Sequence, residues 1–339
     1  MTMWELMHDR AVDPAVRPMT ASPDPGQPPA VRTKSELCAD IRDRPTVTLV
    51  VNARSRRGRR LYARACRLLR AEGFQMVQAM AVTVPGRLGD ALSAAVTTGA
   101  DLVVVGGGDG TLSEAANHLA YRDRCLGVLP LGTTNNFARS LGIPLGLDAA
   151  VRTLAHGKVA DVDLGRCGQR LFTNLTSLGV SVEVAKRVKP ALKRVLGRTA
   201  YPLTALRVLP GHAPFRACLT TGDDRYEVRT HQLNIANGRF HAGREIAGDA
   251  SIDDRLLVVY RLGTHSRMRL VTATLRHALT GHRRQIADRP FLTGRDFWLE
   301  ADPPQLLDVD GEVRGSTPIQ LSLAAEALRV MVPLDFVDI

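Results

Sequence analysis

The residues with the clearest chemical potential form a glycine-rich run at positions 106–111, Gly-Gly-Gly-Asp-Gly-Thr. The apolar run 102–105 precedes it, and residues 112–116, which have the composition of a helix start, follow it. A strand, a glycine turn and a helix N-terminus in this order direct backbone N–H groups and the helix dipole toward an anion. Glycine also lets the backbone approach a phosphate closely, because no Cβ intervenes. The run therefore predicts a phosphate cradle, although it is neither a Walker A loop nor a GxGxxG fingerprint.

A second turn of the same kind lies in residues 128–139, Val-Leu-Pro-Leu-Gly-Thr-Thr-Asn-Asn-Phe-Ala-Arg. It again runs from a short strand through Gly and Thr into a helix start. Thr133, Thr134 and Asn135 can cap that helix or donate hydrogen bonds to a ligand. Open α/β sheets bind ligands at the carboxyl ends of their parallel strands. We therefore expect both turns at that edge of one sheet.

The ordered set of motifs resembles the diacylglycerol kinase catalytic-domain family, which includes bacterial soluble lipid kinases and the sphingosine and ceramide kinases. That family joins Gly-Gly-Asp-Gly-Thr to a later Pro-x-Gly-Thr-x-Asn-x-Phe-Ala-Arg, as residues 107–111 and 130–139 do here. The resemblance covers residues 46–333. Three further stretches fit the family pattern: residues 52–55 for Asn-Pro-x-Ser-Gly, residues 237–238 and 250–256 for Asn-Gly followed by Ala-x-x-x-Asp-Gly-Leu, and residues 310–312 for Asp-Gly-Glu.

The chain departs from the family pattern at several of these positions. Asn136 stands where the family usually has Asp, and Arg255 replaces the Gly that follows Asp254. These departures leave the phosphate cradle mostly intact and fall mainly on the metal and lipid-acceptor sites. The remaining departures are Ala53 for Pro, Arg56 for Gly, residues 241–243 (His-Ala-Gly) for Gly-Gly-Gly, and Gly248 for Pro.

The resemblance implies an ATP-dependent lipid kinase that transfers the γ-phosphate of ATP to a lipid hydroxyl, such as that of diacylglycerol, in a cleft between two domains. Phosphoryl transfer depends mostly on positioning and charge neutralisation. The enzyme therefore needs a phosphate cradle, a Mg²⁺ site, a base and an acceptor pocket. The nucleotide-binding candidates are Asn52, Thr83, Gly107, Gly108, Asp109, Gly110, Thr111, Leu112, Ser113 and Thr133.

The resemblance also implies the metal site and the base. Asp254, with the backbone carbonyls of Ser251 and Leu256, would give Mg²⁺ the hard oxygen ligands that it prefers. Asp109 is the second candidate carboxylate, and we assign it a catalytic role together with Glu312. Glu312 matches the family's general base, which would accept the proton of the acceptor hydroxyl. The bland alternative for both acidic stretches is a hairpin turn.

Strands that alternate with helices over residues 45–157 predict an α/β domain with a parallel sheet in Rossmann-like βαβ units. From residue 158 to 333, short β-like runs predict a mainly antiparallel β-sandwich that carries the lipid acceptor. Helical inserts are expected near residues 182–196 and 267–279. The family implies that the last segment returns to the first domain. Residues 1–44, rich in Pro and polar side chains, are expected to be a largely disordered tail.

Composition limits the choice of function. The 339 residues leave room for two domains, and 45 Lys and Arg against 34 Asp and Glu give a net charge of +11. A basic body suits nucleotide phosphates, anionic lipid headgroups or nucleic acid. Aromatic residues make up only 4%, and no zinc-finger or RNP motif occurs, so we expect no nucleic-acid partner. Five scattered cysteines without a CxxC pair fit a reducing cytosol.

The expected partner is a lipid substrate at an anionic membrane surface. No signal peptide or transmembrane run is evident, so we expect a cytoplasmic enzyme that binds the inner face of the membrane peripherally. Residues 182–195 alternate valines and leucine with lysines and arginines, which predicts either a helix on anionic lipid or a docked helix with a solvated basic face. The sequence leaves a homodimer open.

Two other functions remain open. A soluble-metabolite kinase of the NAD-kinase type shares Gly-Gly-Asp-Gly-Thr but lacks the second motif. A non-catalytic regulator that binds nucleotide or lipid would agree with Asn136 and Arg255, whereas Asp109 and Glu312 argue for catalysis. The sequence does not name the acceptor, because acceptor pockets are apolar and built from scattered residues.

Overall fold

The computed structural model describes residues 32–54, 56–187, 204, 208, 211–237, 240–241, 244–245, 255–262 and 291–338. Residues 32–157 are called the first half and residues 158–338 the second half. The first half alternates helices and strands, as the sequence predicts. Its elements are α1 (Lys34–Asp43), β1 (Thr46–Asn52), α2 (Arg56–Ala71), β2 (Gln75–Val82), α3 (Leu88–Val96), β3 (Leu102–Gly107), α4 (Asp109–Leu119), β4 (Cys125–Pro130), α5 (Asn136–Ser140) and α6 (Leu147–His156).

Strands β1 to β4 form a parallel sheet in the order β2-β1-β3-β4. Every residue of β3 and β4 is buried. A parallel sheet with helices on both faces hides both sides of its strands, which explains why β3 and β4 read as continuous apolar runs. The carboxyl ends of β1, β3 and β4 therefore meet at one edge, where the glycine turns follow.

Helix α1 lies inside the segment that we expected to be a disordered tail, and that expectation is wrong for residues 34–43. The Thr33 hydroxyl accepts the N–H of Glu36 at 3.2 Å, and the Glu36 carboxylate accepts the N–H of Thr33 at 2.7 Å. This reciprocal pair is a capping box, which stabilises a helix start. The side chains of Leu37, Cys38 and Ile41 are buried in the core of the first half. Burial of this apolar face overrides the polar composition around it.

A charge network fixes the position of α1. The Arg32 guanidinium donates to Asp40 at 2.6 Å, to Asp101 at 2.7 Å and to Asp123 at 2.8 Å. Asp123 also pairs with Arg329 at 2.9 Å. The network joins Arg32, two residues before α1, to the residues that precede β3 and β4 and to a strand near the end of the chain.

The second half is mostly β-structure, and its described strand pairs are antiparallel except where it joins β4. Its elements are β5 (Lys158–Cys167), β6 (Arg170–Phe172), β7 (Leu175–Gly179), α7 (Val180–Arg187), β8 (Phe215–Thr221), β9 (Asp224–Thr230), β10 (Gln232–Ala236), β11 (Phe240–His241), β12 (Arg244–Glu245), β13 (Leu257–Leu262), β14 (Leu292–Gly294), β15 (Asp296–Asp302), β16 (Leu306–Val309), β17 (Glu312–Ser316) and β18 (Ile319–Val332).

Two sheets make the sandwich. One continues the parallel sheet in the order β2-β1-β3-β4-β18-β15-β8-β9, with β5 and β6 attached through β18, and the other runs β14-β13-β10-β7-β16-β17. Their facing side chains form a buried core that includes Leu178, Leu233 and Leu299. The predicted fold class, a parallel α/β domain followed by a mainly antiparallel β-sandwich, is confirmed.

Strand β18 belongs to both halves. Its first residues pair with β15, and Arg329 and Val330 pair in parallel with β4. Along its length it also pairs with β5 in antiparallel direction. The chain therefore returns to the first half at its end, which the family resemblance also implied.

Helix α7 covers the first part of the insert that we expected at 182–196. The rest of that insert and the insert at 267–279 lie outside the described residues. None of the helices in the described ranges is long and apolar enough to cross a membrane.

Candidate active site

The two glycine turns contact each other at the carboxyl edge of the parallel sheet. The N–H of Leu131 donates to the Gly107 carbonyl at 2.9 Å. A Cβ added to Gly132 would lie 2.4 Å from the Cα of Gly108, which is too close for two carbon atoms. Only glycine therefore fits at this position. The turn after β3 and the turn after β4 therefore pack backbone against backbone.

Asp109, the first residue of α4, links the same two turns through its side chain. Its Oδ2 accepts the hydroxyl of Thr134 at 2.6 Å, and its Oδ1 accepts the N–H of Phe137 at 3.1 Å. The carboxylate thus satisfies an N–H at the start of α5, as an N-terminal acid does. The catalytic and metal-binding roles that we assigned to Asp109 stay predictions.

Asn135 closes its own turn. It adopts the left-handed conformation, with φ of 50°, which Asn tolerates better than most residues. Its Oδ1 accepts the N–H of Gly132 at 2.9 Å, and its Nδ2 donates to the Gly132 carbonyl at 3.2 Å. The sequence left open whether Asn135 caps the helix or binds a ligand. In the structure its buried side chain instead forms hydrogen bonds within its own turn.

The remaining nucleotide-binding candidates lie at the same edge or beside it. Asn52 ends β1, and its Nδ2 donates to the Thr111 hydroxyl at 3.0 Å, which joins the first motif to the cradle. Leu112 and Ser113 are buried in the first turn of α4. Thr83 and Thr133 are exposed, the former directly after β2. Gly107, Gly108 and Gly110 form the turn itself, and a Cβ on Gly110 would meet no atom within 4 Å.

A small cleft, with a volume of about 10 Å³, lies between this edge and the second half. It is lined by the start of α4 and by the β16–β17 hairpin, whose turn contains Asp310 and Gly311. The structure therefore brings the predicted cradle and Glu312, the predicted base, to one place. The lining residues are Gly110, Ser113, Arg170, Val309, Asp310, Glu312 and Arg314.

Asp310 holds the hairpin in place. Its Oδ1 accepts the N–H groups of Asn174 and Leu175 at 3.0 and 3.1 Å, and its Oδ2 accepts the N–H and hydroxyl of Thr173 at 2.7 and 2.9 Å. Asp310 itself has a positive φ of 49°. One carboxylate with four donors fixes the turn against the β6–β7 connection. Sequence analysis treated the position only as part of a motif, since its partners lie far away along the chain.

Asp308 stabilises the same turn by accepting the N–H of Gly311 at 2.6 Å. Burial raises the pKa of Asp308, and the nearby carboxylates of Asp310 and Glu312 raise it further, whereas the Gly311 N–H lowers it. The hairpin therefore brings three carboxyl groups close together, and two of them, those of Asp310 and Glu312, line the cleft.

Two arginines in the cleft were missed by the sequence analysis. Arg314 donates to Glu312 Oε2 from Nε at 2.8 Å and from Nη2 at 2.5 Å. Arg170 donates to Glu114, on the second turn of α4. Burial alone would raise the pKa of Glu114, but the Arg170 guanidinium outweighs it and lowers that pKa. Neither arginine belongs to a glycine-rich or acidic motif, so only the fold reveals them.

The predicted metal site is described only in part, since Ser251 and Asp254 lie outside the described residues. Leu256 directly precedes β13. Among the residues that the structure describes, no three His, Cys, Asp or Glu side chains cluster so as to hold a metal ion. The predicted donors, one carboxylate and two backbone carbonyls, are hard oxygens, and this chemistry fits Mg²⁺.

The Arg255 departure has a physical explanation. Arg255 adopts a positive φ of 58°, the conformation that favours Gly, the family's usual residue there. Its N–H donates to the buried Asp163 carboxylate at 2.9 Å, and its guanidinium pairs with Glu326 at 2.5 Å. Asp163 also accepts the N–H of Glu326 at 2.8 Å, and burial raises its pKa. These contacts stabilise the strained residue beside Leu256.

Comparison with known proteins agrees with this architecture. Residues 46–167 match the family described as "Diacylglycerol kinase catalytic domain". Residues 174–332 match the family described as "YegS C-terminal NAD kinase beta sandwich-like domain". The chain thus has the two-domain composition of a lipid kinase-like protein.

Individual relatives define the family more narrowly. The chain is 36% identical over 263 residues to a "Probable lipid kinase YegS-like" of Pseudomonas aeruginosa, covering 75% of this chain and 85% of the relative. It is 33% identical over 283 residues to a protein of the same name from Xanthomonas oryzae pv. oryzae, covering 79% and 90%. The chain belongs to the YegS-like lipid kinase family.

The fold has a counterpart among solved structures. The crystal structure of a diacylglycerol kinase from Bacillus anthracis str. Sterne superposes with a TM-score of 0.67 at 22% identity, covering 85% of this chain and 96% of that chain. At this identity the likeness concerns the fold alone.

Proposed function

We propose that the protein transfers the γ-phosphate of ATP to a lipid hydroxyl, such as that of diacylglycerol, in the cleft between α4 and the β16–β17 hairpin. The observation that carries this proposal is that Gly110 and Ser113, at the start of α4, line the same cleft as Glu312. A phosphate cradle and a carboxylate base are two of the parts that phosphoryl transfer to an alcohol requires. Membership of a lipid kinase family supports the same reaction class.

The backbone at the start of α4 would bind the phosphates. The N–H groups of Thr111 and Leu112 already donate to the Gly108 carbonyl. The N–H groups of Asp109 and Gly110 lie ahead of them in the first turn of α4, where no helical carbonyl precedes them. The absence of side-chain atoms around Gly110 gives a phosphate room to approach. The helix dipole adds favourable charge at this end.

Glu312 would accept the proton of the acceptor hydroxyl while that oxygen attacks the γ-phosphorus. The bond between the γ-phosphorus and the oxygen of ADP breaks, and ADP leaves with the electron pair. When bound, Mg²⁺ would neutralise phosphate charge, held by the Asp254 carboxylate and the carbonyls of Ser251 and Leu256. Asp310 would keep Glu312 in reach of the cradle.

The test incubates the purified protein with γ-labelled ATP, Mg²⁺ and a total lipid extract, and identifies any labelled product by mass. A labelled lipid that disappears with Glu312→Gln supports the proposal. A parallel reaction contains NAD in place of the lipid extract, and label on NAD would support the NAD-kinase type instead. ATP binding without any transfer would indicate a non-catalytic regulator.

We further propose that the enzyme meets its lipid as a peripheral protein at an anionic membrane surface on the cytoplasmic side. The net charge of +11 supports this, because basic proteins are attracted to anionic headgroups.

A further inference from the structure

Arg314 has no assigned role in the reaction, yet its guanidinium lies in the cleft next to the proposed base. Both of its hydrogen bonds to Glu312 go to the same oxygen, Oε2. Oε1 receives no hydrogen bond from the residues that the structure describes. The carboxylate therefore has one oxygen occupied by Arg314 and one available to a hydroxyl.

The ion pair contributes little to the stability of the fold. Every residue of β17 is exposed, and the Arg314 and Glu312 side chains are 49% and 56% exposed. Exposed pairs of this kind are screened by water and cost side-chain entropy. The position of the pair in the cleft, opposite Gly110 and Ser113, indicates a role in chemistry.

We propose that Arg314 is a catalytic residue that leaves Glu312 during the reaction and binds the transferring phosphoryl group. The proposal rests on the proposed kinase function. Arginine suits the role because its planar fork binds two phosphate oxygens at once.

The proton balance of the reaction explains why the arginine would change partner. When Glu312 takes the proton of the acceptor hydroxyl, its carboxylate becomes neutral and its attraction for Arg314 falls. At the same moment negative charge is spread over the oxygens of the γ-phosphoryl group as its bond to ADP breaks. The Arg314 guanidinium then binds the phosphoryl oxygens more strongly than the neutral Glu312 carboxyl group. This interaction lowers the activation barrier of phosphoryl transfer because it forms in the transition state.

Arg170 provides the contrast within the same cleft. Its partner, Glu114, lies on α4 and takes no part in the proposed proton transfer, so the Arg170 ion pair keeps its charge throughout the reaction. Arg170 is also less exposed than Arg314, at 27%. We expect Arg170 to act as a fixed positive charge, whereas Arg314 moves.

The experiment compares Arg314→Ala and Arg314→Lys with Arg225→Ala. Arg225 is the matched control, since it forms an exposed ion pair with Glu227 at 3.3 Å on β9 and does not line the cleft. Turnover is measured with the lipid that the labelling experiment identifies as the product's precursor. Calorimetry measures the affinity for MgADP alone and for MgADP with aluminium fluoride and a short-chain diacylglycerol, which mimics the transition state.

For Arg314→Ala we expect turnover to fall about a hundredfold or more, the usual effect of removing one transition-state donor. The fluoride complex should weaken by a similar factor, while MgADP affinity stays unchanged. Arg314→Lys should be intermediate because it keeps the charge and loses the fork. Arg225→Ala should match the wild type.

Normal turnover in a folded Arg314→Ala variant would overturn the proposal, as would an equal loss of affinity for MgADP and for the fluoride complex. If Arg314→Ala does not fold, Arg314→Lys decides, since a purely structural ion pair would survive that change with turnover intact. A wild-type protein that binds MgADP but transfers no phosphate would instead refute the kinase function itself.

Discussion

The residues around Glu312 agree with its proposed role as the base. Glu312 lies on the exposed strand β17, and Arg314 donates hydrogen bonds to one of its carboxylate oxygens. The turn that precedes Glu312 is fixed by the hydrogen bonds of Asp310. A carboxylate in this position needs only its charge to act as a base. Its chemistry can therefore be removed without changing its size.

We expect Glu312→Gln to lower turnover by about 10² to 10⁴, the usual contribution of a general base. ATP affinity should remain, because the cradle is built from the β3–α4 turn. Steady-state kinetics and calorimetry measure the two quantities separately. Near-normal turnover would rule out Glu312 as the base and leave Asp308 or Asp310 as the next candidates.

At the scale of elements, β16 pairs with β7, and the turn of the β16–β17 hairpin is fixed to the β6–β7 connection mainly by one side chain. The Asp310 carboxylate accepts four hydrogen bonds from residues 173–175, and no other residue of the turn reaches them as a side-chain acceptor in the described part of the chain. Loss of that carboxylate leaves several partly buried donors without a partner. The hairpin should then move relative to α4.

Asp310→Ala should lower the free energy of unfolding by about 1–3 kcal/mol, the cost of unsatisfied polar groups. It should also lower turnover while leaving ATP affinity unchanged, since the cradle does not depend on the hairpin. Urea unfolding and kinetics measure these effects, with Asp224→Ala, an exposed turn residue on β9, as control. An unchanged stability would show that the four hydrogen bonds are dispensable.

Some strands could be predicted from the sequence and others could not. Strands β3 and β4 were predictable because their apolar runs record burial on both faces. Strand β18 was harder to predict over its full length, because it continues through Glu326, which has a positive φ of 50°. That residue interrupts the alternation on which strand prediction depends, and the later part is held by pairing with the distant β4 and β5.

The residues of the candidate site also differ in how well the sequence predicts them. The glycine turn and Glu312 could be proposed from the sequence, because glycine content and motif order mark them. Other contacts join residues far apart in the sequence. They are the hydrogen bonds from residues 173–175 to Asp310 and the ion pair between Arg170 and Glu114. No local pattern marks such contacts, so only the folded chain could show them.

For the whole molecule, the packed first half includes residues 34–43, which the sequence assigned to the tail. A chain that begins at residue 32 should keep the melting temperature of the full chain, since the composition of residues 1–31 cannot form a core. A chain that begins at residue 45 loses the buried Leu37 and Ile41 and the Arg32 network. Each buried aliphatic side chain contributes about 1.5–3 kcal/mol, so its melting temperature should fall by many degrees. Equal melting temperatures for both truncations, measured by calorimetry, would contradict this packing.

The charge of the whole molecule bears on where it meets its lipid. In the predicted basic segment, Lys186 and Arg187 lie near Glu183, at 3.9 and 3.5 Å, which reduces their net field. On α2, by contrast, Arg60 and Arg67 are exposed, and no acid pairs with them within the described residues. The helix also starts directly after β1, at the edge that holds the cradle. We therefore expect the face of α2, rather than that of α7, to contact anionic lipid.

We expect the protein to bind vesicles only when they contain anionic lipid, and to release them as salt rises, because each basic side chain near the surface contributes about 1 kcal/mol that ions screen. The double change Arg60→Glu and Arg67→Glu should weaken this binding more than Lys186→Glu with Arg187→Glu. Sedimentation with vesicles of defined composition measures both. Equal binding to neutral vesicles would refute the electrostatic attraction, and a larger effect of the α7 pair would move the contact to that helix.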